Sequence, residues 1–235
     1  MKAHELAEKF RNNTKTEASY QEIIKWCSEN ASKLDLKDKD QQYLYEMSTR
    51  YLMKVKIGHW NEQDANTIIH YFAKLYADIY GMADKVTVEV LDLPEYRERF
   101  KDNSEAKHIR YSTGRSDLVY SSEVVEYLKS NDMLKFMEGL QTIFHEPVHV
   151  VQYNRLYETQ NHGEFHYNGD TYRTALEVIT RKVDSNFYEN NYFKLFMEYQ
   201  AEYIGLAQAM NMMNTYYKKD LFPINDKEKI EEMLR

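Results

Sequence analysis

The sequence predicts an α+β protein that is mostly helical, with a small sheet of three or four strands packed on one long helix, preceded by an N-terminal helical region. Three observations predict it. Glycine (7) and proline (3) are scarce in 235 residues, which favours long helices over an all-β fold. Apolar residues recur at three- and four-residue spacing along most of the chain. Alternating, β-branched segments are confined to the stretch between 86 and 121. The change of pattern divides the chain into a helical region, 1–81, and a second domain, 82–235.

In the first region the helical spacing holds over 17–31, 39–56 and 62–80. Ile68, Ile69, Phe72, Leu75, Ile79 and Tyr80 form one stripe, with Gly81 as its stop. His70 falls on that stripe and reads as a core or boundary histidine. Val86-Thr-Val-Glu-Val-Leu alternates as a strand does, and Pro94 ends it. A short helical turn is expected over 95–102. His108-Ile-Arg-Tyr and Asp117-Leu-Val-Tyr-Ser flank the turn-rich Ser112-Thr-Gly-Arg-Ser and read as a β-hairpin.

Ser121 or Ser122 can cap a helix over 123–129, and Ser130, Asn131 or Asp132 the next, 133–157. In that longer helix Met133, Met137, Leu140, Phe144, Val148 and Val151 mark one buried face. Residues 158–171 are polar and read as a loop. Helices follow over 172–188 and 192–218, and a short charged one over 227–234. The methionines at 210, 212 and 213 read as core or a packing surface.

Composition narrows the function. The net charge is −7, from 31 basic and 38 acidic residues, with no basic patch, so nucleic acid is not an expected partner. No stretch reaches 18 apolar residues, so no membrane span is expected. The single cysteine, Cys27, excludes an intrachain disulfide and reads as a buried thiol. With no signal-like N-terminus the expected location is cytoplasmic; secretion stays open should a leader have been trimmed.

The chemistry is concentrated in His145-Glu146-Pro147-Val148-His149. Residues four apart on a helix share a face, so two imidazoles at this spacing can hold one metal ion. His145, Glu146 and His149 are expected on the more polar side of their helix. Glu146 follows the first histidine and can reach water on an open coordination position. Gln152 and Arg155 stand where a third histidine pattern would continue, so the third ligand must come from elsewhere. Glu198-Tyr-Gln-Ala-Glu202 offers two acids one turn apart. Glu198 is the candidate third ligand, with Glu202 its rival. Alternatively Glu202 accepts the Nδ1–H of a ligand histidine and fixes its tautomer.

These residues resemble the gluzincin branch of the zincin metallopeptidases, over about 85–210. The resemblance rests on HExxH at 145–149 and on Glu198-x-x-Ala-Glu202. It implies a zincin-like core, one zinc ion per chain, and hydrolysis of peptide bonds with Glu146 as general base. It also implies a peptide or protein substrate paired along an edge strand, for which Leu118, Val119 and Tyr120 are the candidates. A donor for the oxyanion is sought in the loop 161–167 or at Tyr192, with His166 the preferred candidate there, although His162 and His166 read more readily as two surface histidines of a loop. Two features depart from the pattern. Pro147 lies inside the motif helix, where it removes a hydrogen bond, and the interval from His149 to Glu198 is long.

Two other functions fit parts of the sequence. Glu146-x-x-His149 and Glu105-x-x-His108 each match the di-iron carboxylate pattern of an oxidase, although the second leads into poor helix. A catalytically silent zincin fold could bind a partner protein through the tyrosine-rich region 1–80.

Overall fold

The computed structural model describes residues 60–79, 81–161 and 196–217. The helices expected over 17–31, 39–56, 172–188 and 227–234, with Cys27, His162, His166 and Tyr192, lie outside the described residues. What is described is mixed α+β and mostly helical, with a three-stranded sheet.

Asn61 opens the first helix, α1 (Glu62–Ile79), through a reciprocal cap. Its Oδ1 accepts from Asp64 N at 2.9 Å, and Asp64 Oδ2 accepts from Asn61 N at 3.2 Å. The far end closes on Gly81, whose φ of +69° only glycine adopts without strain. Gly81 N donates to Asp78 O and Met82 N to Ala77 O, so two carbonyls of the last turn are satisfied. The predicted stripe is buried at Ile68, Ile69, Phe72 and Leu75. His70 is not part of it. Its ring is exposed and bonds to the Asn66 carbonyl at 2.8 Å, because position 70 falls just outside the arc that the stripe buries.

Strand β1 (Val86–Leu91) follows, then helix α2 (Leu93–Phe100), with Pro94 in its first turn, where a missing N–H costs nothing. Lys101 ends α2 in the left-handed region, donating its N–H to Arg97 O. Strands β2 (Ala106–Arg110) and β3 (Ser116–Ser121) form the expected antiparallel hairpin, turning at Gly114. β1 pairs with β3 in parallel, from Val86 opposite Ser116 to Leu91 opposite Ser121. The strand order is therefore β1-β3-β2, and β3 is the central strand.

That order corrects the expected role of Leu118, Val119 and Tyr120. They sit on the middle strand, all fully buried, and cannot be the edge that pairs with a substrate. A strand buried on both faces reads as an apolar run, not an alternation. Val119 faces α2, in a cluster with Leu91 and Tyr96 against which Phe100 and Ile109 pack. Leu118 and Tyr120 point to the opposite face, the one shared with His108.

Helix α3 (Ser122–Lys129) starts after Ser121, which makes no side-chain cap bond; the Ser122 hydroxyl instead accepts from Leu93 N at 3.1 Å, tying α3 to the start of α2. Asp132 caps the long helix α4 (Met133–Asn161), its Oδ1 accepting from Leu134 N at 2.9 Å. Phe144 of α4 stacks on Phe72 of α1 with ring centroids 5.2 Å apart, and Phe136 meets Trp60 edge-on at 5.1 Å. Such pairs contribute about 0.5–1.5 kcal/mol each beyond the area they bury. The last described helix, α5 (Phe196–Tyr217), buries Met210, Met212 and Met213, as core residues. No described helix is long and apolar enough to cross a membrane.

Backbone contacts divide the chain into two compact units, 35–151 with 201–235 and 1–34 with 152–200. The sheet, α1 to α3 and most of α4 and α5 belong to the first. In the second, among the described residues, Gln152 Nε2 donates to Met197 O at 3.2 Å and to Gln200 Oε1 at 2.7 Å.

Candidate metal centre

The motif helix is unbroken at Pro147. Proline has no N–H to give to the carbonyl four residues earlier, which is that of Ile143. The structure supplies a substitute. Tyr120, fully buried on the central strand, donates its hydroxyl to Ile143 O at 3.4 Å. Burial above all, and then the charge of Glu146, push the Tyr120 phenol well up, so it stays a neutral donor. Pro147 is thus accommodated by a side chain from the sheet, and the helical spacing of the motif survives.

A double-mutant cycle tests this. Tyr120→Phe should cost about 1 kcal/mol, the lower end for an unsatisfied buried carbonyl because the bond is long. In a Pro147→Ala background the cost should fall toward zero, since the alanine restores a backbone N–H that bonds to Ile143 O. Urea unfolding of the four variants checks it, and an equal cost in both backgrounds would refute the pairing.

His145 and His149 are 8% and 6% exposed, so the side of α4 that carries them is not its polar face, as the sequence suggests, but interior. Their Nε2 atoms stand 3.1 Å apart, with ring centroids at 4.9 Å. Two nitrogens each about 2.0–2.1 Å from one tetrahedral zinc stand about 3.3 Å apart, so the pair fits one ion with little adjustment. Without an ion, one Nε2–H donates to the other Nε2.

Glu202, on α5, brings Oε1 to 3.4 Å from His145 Nδ1, and its Oε2 accepts from Gln141 Nε2 at 2.5 Å. The carboxylate thus faces the Nδ1 side of the His145 ring. Glu198 lies one turn earlier on the same helix and is 3% exposed. His145, His149 and Glu198 are each buried and each of a type that ligates metal. Two imidazoles and one carboxylate are a set that suits zinc and leaves a coordination position for water.

Glu146 is half-buried, beside the motif but turned from the imidazoles by one helical residue. Burial raises the Tyr96 phenol, with the nearby Glu146 carboxylate adding to the effect, as at Tyr120. Glu146 thus lies within electrostatic reach of both phenols.

Three more residues stand here: His108, which the sequence reading weighed only for the di-iron alternative, and two that it missed. His108 of β2 stacks on the His149 ring, centroids 6.3 Å apart and planes at 21°, with its Nε2 2.9 Å from the Ser116 hydroxyl. Strand alternation could have found it, since position 108 faces the same way as Leu118. Gln141 stands one turn before His145. Gly205 is the third, and no pattern in the sequence marks it. The di-iron alternative loses its second pair, because His108 is on a strand and Glu105 precedes it, accepting from the Tyr127 hydroxyl at 2.9 Å. Burial raises the pKa of Glu105, with the charges of Glu138 and Glu123 acting in the same direction.

No family model, no curated protein and no solved structure matches the chain. The functional reading accordingly stands on the geometry of these side chains.

Proposed function

We propose that this chain is a zinc-dependent metallopeptidase with a zincin-like core. His145, His149 and Glu198 are the ligands, Glu202 orients His145, and Glu146 is the general base. The observation that carries the reading is the approach of two buried imidazole nitrogens to 3.1 Å on one unbroken helix, with a carboxylate behind His145. Two buried histidines facing each other gain little from burial alone. One cation between them would take a lone pair from each ring.

When bound, zinc supplies a Lewis acid that brings the pKa of coordinated water toward 7. The remaining steps belong to the chain's own groups. Glu146 takes the proton of the attacking water and passes it to the leaving amine. Glu202 holds the proton on His145 Nδ1, which keeps Nε2 available as a ligand. An extended substrate adds to an open sheet edge through main-chain bonds. Among the described residues β2 is such an edge and carries His108, so it takes the substrate role that β3 cannot have.

Elemental analysis of the purified protein, joined to a peptide-library digest with and without chelator, tests the proposal. One zinc per chain and cleavage that chelator abolishes are expected. Cleavage that persists after complete metal removal would overturn it.

A further inference from the structure

We infer that Gln141 and Gly205 are positioning residues that set the His145 imidazole for metal, an inference that rests on the metal centre proposed above. Gly205 lies where α4 and α5 meet. A Cβ there would stand 2.8 Å from the Gln141 carbonyl oxygen and 3.3 Å from the His145 backbone N. The two backbones touch, and no residue larger than glycine fits without moving one of them. Glu202 is three residues earlier on the same face of α5. The close approach at Gly205 is therefore what carries the Glu202 carboxylate onto Gln141 and His145.

Gln141 then fixes which way that carboxylate points. Its amide donates to Oε2 at 2.5 Å, and Oε1 is left facing His145 Nδ1 at 3.4 Å. An amide suits this position better than a cation would. It anchors the carboxylate while leaving its negative charge for the imidazole. A carboxylate facing Nδ1 retains the proton there, so the lone pair is at Nε2. That is the nitrogen 3.1 Å from His149 Nε2. The chain Gln141–Glu202–His145 thus selects the tautomer that can ligate, and Gly205 sets the helix spacing the chain requires. A contact with only a packing role would need a small residue at 205 but no amide at 141.

The experiment uses the full chain in metal-free form. Long-range 1H–15N NMR of the imidazoles reads the His145 tautomer, and competition with a chromophoric chelator reads zinc affinity. The variants are Gln141→Met, of similar length without the donor, and Gly205→Ala. The wild type should show Nδ1–H at His145. Gln141→Met should mix the tautomers and weaken zinc binding about tenfold, the lower end for loss of an outer partner of a ligand. Gly205→Ala should do the same by separating the helices; should it fail to fold, Gln141→Met decides. A Gln141→Met variant that keeps the wild-type tautomer and binds zinc within about twofold of wild type would overturn the inference while leaving the metal centre intact. Should the wild type bind no zinc, the metal centre falls, and the tautomer comparison in metal-free protein still decides the role of Gln141.

Discussion

Replacing Glu146 with glutamine will lower peptide hydrolysis by about 10²–10⁴-fold while leaving zinc at one per chain. The two halves of this expectation come from different parts of the geometry. The proposed ligands His145 and His149 project from the buried side of α4, with Nε2 atoms 3.1 Å apart, and Glu146 takes no part in that contact. Glutamine keeps the size and half-buried position of the side chain, so the helix is undisturbed, and burial, the larger cause, still keeps the phenols of Tyr96 and Tyr120 neutral without the Glu146 charge. It cannot accept a proton from water, so what is lost is the base. Steady-state kinetics on a cleaved library peptide, with metal content measured on the same sample, checks both halves. Full activity in the glutamine variant would remove Glu146 from the mechanism. Loss of metal together with activity would mean that Glu146 is a ligand.

The second large effect is expected at His149. His149→Ala should abolish zinc binding at micromolar metal and with it any stabilisation by zinc. An ion that binds only the folded chain raises stability by about 4 kcal/mol at a thousandfold excess over its Kd. The wild type should therefore unfold at higher temperature or urea concentration with zinc than with chelator, and His149→Ala should show no difference. Alanine also leaves His145 facing a cavity, so the metal-free variant should be less stable than the metal-free wild type by about 1–3 kcal/mol. Calorimetric titration together with unfolding in chelator separates the two losses. A zinc-dependent shift that persists in the alanine variant would place the ion elsewhere.

The helical spacing of His145 and His149, the first strand, the hairpin and a cap within 130–132 were all legible from residue order, because each depends on neighbours within a turn or two; that Asp132 is the cap was settled by the structure. What was not legible depends on residues far apart. That β1 docks against β3 rather than beyond β2 is a tertiary choice, though the unbroken apolar run Leu118-Val119-Tyr120 is a sign of burial on both faces. His70 shows the converse failure, a periodic position that the arc of packing stops just short of. Pro147 is an obstacle when read within its own helix, and its remedy at Tyr120 appears only when the sheet is brought against that helix. Gln141 and Gly205 were invisible for the same reason, since each acquires meaning from the helix opposite.

Tyr120 and Pro147 are two halves of one arrangement that spans two elements: the proline withholds the backbone donor that Ile143 O would receive, and the strand supplies a hydroxyl in its stead. Any effort to graft this motif onto another scaffold must transplant the strand residue with the helix, or restore an ordinary amide at 147.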